Sequence, residues 1–562
     1  MDVGPRGAPH RGAPGRDRVK RAAALYVFLT LLVWGLFAFD RGLFHDDASN
    51  LAWAQRASSQ PPWGLFEPMV APTRLLLSAP YVLAFASPAP AAVLQLLLGM
   101  CWLLSGFAVL ALARRLFPWS RALALVAGAL AVTATSDLLT NSSVGLSYCS
   151  SGLAFAAALT AALRFQETGR PVALVAAALL LNAGLLTSDG AAPAAALAPL
   201  LFLATQGRAD RRWAATSACW SLALVPWTVA FLRFLRDPGS YAAIALAPFD
   251  AVRQGRLTAA LTAHDFMPWR WAFRRPVWIE HLPPVVPGWA YVLTAFAGAV
   301  AFVTAASAAG TASGAAVRDA ERWPRRHYVA AVLVLMIVAT HAAFSGVQLA
   351  EVRYRTHLVT RLLTSLLLAL VAEALARRLS APRLALALPA VFVGLGVAGG
   401  LERQDTYLAT WRRQRTELAS ILEAAPALDS KATLVFSLAP DPGGFQATRV
   451  PYLAAAWASL LWDDPSIAGR TVVALPGWGS DCRPVAAGLS CTGGPGPGLH
   501  EWDRLVVLRF DPASFQYRLV REFPESAGAY RPRALIRPAP LSERALSLLV
   551  GPRFLARLLP AP

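Results

Sequence analysis

Long apolar blocks, separated by short arginine-bearing stretches, constrain this chain more than any other feature. A backbone in lipid must satisfy its polar groups internally, which leaves helices or closed barrels. Barrel strands would alternate with a period of two, and these blocks do not. At 562 residues, 56% hydrophobic and 15% charged, the chain is too apolar for a soluble multidomain protein. The class predicted is a polytopic α-helical membrane protein.

A helix crosses the hydrocarbon core in about 20 residues, with a range of roughly 17 to 25. On that ruler about eleven transmembrane helices are expected, over 22–39, 90–113, 120–136, 149–165, 171–187, 190–206, 213–232, 288–308, 328–346, 358–376 and 383–400. The stretch 75–86 is apolar but short and broken by Pro80, which suits an interfacial or re-entrant segment. The basic tail 1–21 is followed by no small-x-small cleavage site, so 22–39 is expected to stay as the first span.

Charge asymmetry orients the set. The tail 1–21, Arg114-Arg115, 164–170, 208–212, 318–326 and 377–383 fall on one side, which the positive-inside rule makes cytoplasmic. The outer side receives the loops 40–89 and 233–287, the turns around Asp137 and Asp189, and everything after Gly400. The net charge of +19 follows from basic residues at span ends, not from one patch, so no nucleic-acid partner is expected. Of the 52 basic residues only Lys20 and Lys431 are lysines. With abundant Ala, Gly and Pro, that bias points to GC-rich coding and a bacterial inner membrane.

The remainder, 401–562, is expected to form a small extracytoplasmic α+β domain. Its helix-like segment 406–424 is followed by short strands at 433–438, 471–475, 504–510 and 516–523, set off by Gly/Pro turns. Asp463-Asp464 precedes Pro465 and suits a turn. Cys482 and Cys491 can pair if the tail faces an oxidising compartment, whereas Cys101, Cys149 and Cys219 suit small apolar-phase residues.

Two groups of residues on the outer side carry chemistry. Asp46 and Asp47 follow the first span within Phe44-His45-Asp46-Asp47. A carboxylate there can take the proton of an acceptor hydroxyl while an anomeric carbon becomes oxocarbenium-like. The bland alternative is a pair of loop acids at the interface. Arg353, Arg355, His357 and Arg361 stand where an outer loop enters the tenth span. At i, i+4 and i+8, Arg353, His357 and Arg361 share one helical face. An arginine inside the membrane demands a protein cavity or an anion such as a lipid phosphate, although snorkelling accounts for the outer two. Asp189, in Thr187-Ser188-Asp189-Gly190, suits acceptor contact or a plain turn. The loop 233–287 holds His264-Asp265, Trp269, Arg270, Trp271, Arg274, Arg275 and Trp278, a mixture suited to the headgroup layer or to a lid. No metal-ligand spacing emerges.

A first span followed by an outer acidic pair resembles the GT-C glycosyltransferases, polytopic enzymes that use polyprenyl-phosphate sugars. Pro72-Thr73-Arg74-Leu75 through Leu112-Ala113-Arg114-Arg115-Leu116-Phe117 is similar in layout to the protein O-mannosyltransferase-like branch. Arg353-Tyr354-Arg355-Thr356-His357-Leu358 resembles that branch's Arg-Tyr motif near a late span. The resemblance implies an inverting transferase. Asp46 would be the base, with Asp47 supporting the acceptor or a divalent metal, and no other cofactor is implied. Arg353, Arg355, His357 and Arg361 would hold the donor phosphate, while Asp189 and Arg74 would support the acceptor. The partners implied are a polyprenyl-phosphate-linked sugar, a lipid, glycan or protein acceptor, and membrane lipids. The branch's His-Pro motif is absent around 133–141, and Ser188 replaces the Lys of its Lys-Glu pair. These departures keep a second class open, a non-catalytic scaffold or transporter of envelope assembly derived from a transferase.

Overall fold

The structure, a computed structural model, describes residues 14–44, 46–58, 76–137, 142–236, 250–272, 284–308, 325–346, 357–381, 383–438, 447–474, 481–492 and 497–550. The chain is a multi-pass membrane protein, mostly helical, with its β-strands confined to a small C-terminal region. Each of the apolar segments expected to span is helical. Among the described residues, seven helices are long and apolar enough to cross a membrane alone, or up to eight with one bent pair.

The expectation of about eleven differs from this number for reasons of length. Arg121–Thr133 has 13 residues and reaches about 20 Å, short of a core roughly 30 Å thick. Pro171–Thr187 and the segment Asp189–Gln206 are separate apolar pieces that meet at a 119° bend. The first apolar segment is Pro14–Thr30 continued by one π-helical stretch, Leu31–Gly35.

Polar contacts join helix ends at two poles of the structure. At one, Arg115 pairs with Glu167, and Arg212 reaches the carbonyls of Gln166 and Glu167 at 3.1 and 3.2 Å. Arg325 bonds the carbonyl of Gln206, while Glu373 meets Arg377 and Trp119. These contacts gather the arginine-rich helix ends that the charge pattern assigns together. At the other pole Leu76 N donates to Leu186 O at 3.0 Å, and Ser151 Oγ donates to Ser188 O at 3.0 Å. The short helix Ala79–Phe85 packs there on Pro90–Leu116.

The last span does not stop at Gly400. Leu384–Ala424 is one helix of 41 residues, about 60 Å long, and joins the expected segments 383–400 and 406–424. Its charged stretch is buried inside protein with its own partners. Asp405 Oδ1 accepts from Val285 N and Val286 N at 2.7 and 2.9 Å, and Oδ2 accepts from Tyr291 at 3.0 Å. Gln404 accepts from Phe37 N at 3.1 Å and donates to Leu32 O at 2.8 Å.

Beyond this helix, strands β1 (Ala427–Leu428) to β9 (Ile536–Arg537) make three small sheets. In the largest, β2 (Thr433–Ser437) lies parallel to both β3 (Thr471–Ala474) and β7 (Leu505–Asp511), and β8 (Gln516–Leu519) is antiparallel to β7. The helix Pro451–Leu461 joins β2 to β3, the crossover that parallel neighbours require. β4 (Asp481–Val485) pairs with β5 (Gly488–Thr492), and their facing residues Cys482 and Cys491 form a disulfide. Asp463 turns with a positive φ of 51°, and Asp464 caps the following turn through Ser466 N at 2.8 Å, as a turn reading requires.

Candidate functional site

The helix Asp46–Ser58 begins on the acidic pair. Asp47 reaches back so that Oδ2 accepts from Phe44 N at 2.9 Å, which satisfies a donor at a helix start. The same oxygen accepts from Ser143 Oγ at 2.6 Å, and Tyr81 OH donates to Oδ1 at 3.4 Å. Asp47 is wholly buried. Burial pushes its carboxyl up to about 7, against the Ser143 and Phe44 hydrogen bonds that favour the charged form. Asp46 is only half-buried and accepts from Tyr452 OH, on Pro451–Leu461, at 3.0 Å. Beside the pair lies a small cavity lined by Arg41, Phe44, Gln95, Ser142, Tyr407 and Gln414.

Of the basic group, Arg353 and Arg355 lie outside the described residues, as does Arg74. His357 and Arg361 occupy the first turns of His357–Arg378. The Arg361 guanidinium stands 3.3 Å from the centre of the Trp102 ring, a cation–π contact. Its Nη2 donates to Cys149 Sγ at 3.1 Å and Ser105 Oγ at 3.4 Å, while Nε and Nη1 have no hydrogen-bond partner among the described residues. At 1% exposure this arginine does not snorkel. Ser143, which holds Asp47, lies only six residues before Cys149, so one helix start joins the two groups.

Asp189 sits in the tight turn between two apolar helices and accepts from Trp227 Nε1 at 2.8 Å, while Ser188 caps Gly190 N. Of the Trp/Arg segment, Arg274, Arg275 and Trp278 lie outside the described residues; Trp269 is exposed, whereas Trp271 is buried and donates to His264 O at 2.9 Å.

A third polar centre joins residues far apart in the chain. Asp265 accepts from or shares protons with two imidazoles, through Oδ2 to His341 Nε2 at 2.9 Å and through Oδ1 to His357 Nδ1 at 2.6 Å. All three are buried. Burial pushes the Asp265 carboxyl up, but His357 and His341 outweigh it and hold it well below the usual carboxylate range. Sequence reasoning found His264-Asp265 and His357 but missed His341. Its signal was an ionisable residue inside an otherwise apolar helix.

No family model and no curated protein matches the sequence. Among solved structures the chain is similar to the oligosaccharyltransferase of Archaeoglobus fulgidus in its apo form, with 16% identity and a TM-score of 0.43, over 83% of this chain. It spans 65% of that protein's length. It is also similar to ArnT from Cupriavidus metallidurans bound to undecaprenyl phosphate, with 17% identity and a TM-score of 0.37, over 77% of this chain and 87% of that one. For ArnT in the apo state the values are 16%, 0.37, 74% and 82%.

Proposed function

We propose that this protein is an integral membrane glycosyltransferase that moves one sugar from a polyprenyl-phosphate-linked donor to an outer-face acceptor, with inversion. The observation that carries this reading is the division of labour at one helix start. Asp46 is half exposed, Asp47 is locked by three donors, and the buried guanidinium of Arg361 donates to Cys149, six residues after the Ser143 that holds Asp47. Asp46 takes the acceptor hydroxyl proton as the new glycosidic bond forms and the bond from the anomeric carbon to phosphate breaks. Arg361, with Arg353 and Arg355, meets the charge that grows on the leaving phosphate; a lipid phosphate would satisfy its Nε and Nη1. Asp47 holds the start of the helix that presents Asp46, and Arg74 and Asp189 support the acceptor side.

Transfer of labelled sugar from a panel of polyprenyl-phosphate donors tests this. Asp46→Asn is expected to lower turnover by roughly 10²–10⁴-fold, the usual worth of a general base, with membrane insertion and melting unchanged. Wild-type turnover in that variant overturns the base. An inserted, folded wild type inactive with every donor and acceptor favours the non-catalytic scaffold.

A further inference from the structure

Three side chains apart from the acidic pair converge on one buried point. Asp265 ends the helix Ala251–Asp265, His341 lies in the last turns of Arg326–Ser345, and His357 opens His357–Arg378. One atom from each lies within 4.8 Å of the others. We propose that this cluster is a binding site for a divalent transition metal of the zinc class, with His341 Nε2, His357 Nδ1 and one Asp265 oxygen as ligands.

Two imidazoles and a carboxylate form a mixed nitrogen and oxygen donor set that suits zinc and leaves a fourth position for water or another ligand. Both histidines aim a ring nitrogen at the same carboxylate, so the two-imidazole, one-carboxylate geometry is already assembled. A bound divalent cation would sit against the buried Asp265 carboxylate in a place closed to water.

The surroundings are also pinned, as ligand-orienting groups around metals are. Thr364 Oγ1 donates to Asp265 Oδ2 at 3.5 Å, and the His264 ring packs 4.9 Å from that of His357. His264 Nε2 is itself bonded to Ser136 O at 2.9 Å. Bonds of about 2.0 Å in a tetrahedral site set ligand atoms roughly 3.3 Å apart. Metal uptake therefore parts Asp265 Oδ1 and His357 Nδ1, now 2.6 Å apart, by a little over about half an ångström, a side-chain adjustment. The ion would fasten an outer-loop helix to two spans. His357 Nδ1 then serves the metal, and the phosphate role of the basic face falls to its arginines.

The test of the site needs no turnover. The full-length protein in detergent, dialysed against metal-free buffer, is expected to keep about one zinc per chain by elemental analysis. His341→Gln and Asp265→Asn should each lose it. Because either variant can fail to fold, the wild type supplies the second arm. Stripping with a chelator should lower its melting temperature, zinc should restore it and magnesium should not. Cobalt added to stripped protein should give visible absorption bands of nitrogen and oxygen ligation. A wild type that holds no zinc, takes up no cobalt and melts alike before and after stripping overturns the site. So does zinc retained by folded variants.

Discussion

Successive residues on a helix are turned by about 100°, and at the start of Asp46–Ser58 that rotation sends Asp47 inward and leaves Asp46 half exposed. The consequence for Asp47 is measurable. Its carboxyl titrates near 3.8 when unfolded and about 7 when buried, so between those values the folded state holds a proton that the unfolded state has lost. Stability contributed by the protonated form is complete below about pH 4 and is lost as the pH rises through about 7. Asp47→Asn cannot ionise and should remove that slope. Melting in detergent from pH 4 to 7 should show wild type falling relative to the variant, by up to about 4 kcal/mol at roughly 1.4 kcal/mol per unit. Parallel curves would exclude Asp47 as the titrating group.

At the scale of the element, the long helix Leu384–Ala424 depends on glycines where other backbone comes close. A Cβ on Gly396 would lie 2.1 Å from Thr133 O, and one on Gly400 would lie 2.7 Å from Val33 Cα. Two effects oppose each other in Gly396→Ala. Helix propensity favours alanine by about 0.8–1.0 kcal/mol, but overpacking against a backbone carbonyl costs typically 1–3 kcal/mol or more. The expected outcome is a lower melting temperature. Gly255, on the helix Ala251–Asp265, has nothing within 4 Å of an added Cβ. Gly255→Ala should therefore raise stability by about 0.8–1.0 kcal/mol. Equal shifts in the two variants would show that the close approach at Gly396 is not real.

For the molecule as a whole, the gathering of arginine-bearing ends at one pole and of the acidic pair and C-terminal strands at the other makes sidedness testable. A disulfide such as Cys482–Cys491 persists in an oxidising compartment, so the proposed outer position of the C-terminal region predicts where these cysteines react. In intact cells, mild reduction should let a membrane-impermeant maleimide label these cysteines, with Cys482→Ser/Cys491→Ser as the control. A cysteine in place of Arg208, whose side chain is 80% exposed, should be labelled only after permeabilisation. The reverse pattern would invert the topology. The docking of the C-terminal region on the helix of the acidic pair also has specific contacts. Gln55 donates to Asp463 at 2.9 Å and accepts from Ser459 at 2.6 Å.

What the sequence determined by itself is whatever local composition encodes. Hydropathy marked helices such as Gly288–Ala308, and it marked the strands Thr433–Ser437, Thr471–Ala474 and Leu505–Asp511 to within about two residues. Arginine spacing sorted the helix ends. What only the tertiary structure decided is which polar groups share a surrounding. Helix rotation turns Asp46 and Asp47 to different sides, but that Asp47's side is the buried one is decided by Ser143 and Tyr81, far along the chain. The last span runs past Gly400 because its polar groups at Gln404 and Asp405 find partners near residues 32–37 and 285–291, so burial there costs little. Asp265 and His341 are 76 residues apart, and a lone histidine in an apolar helix has no spacing that reveals its partner. Hydrophobicity is written along the chain, whereas a polar site is made by contacts across it.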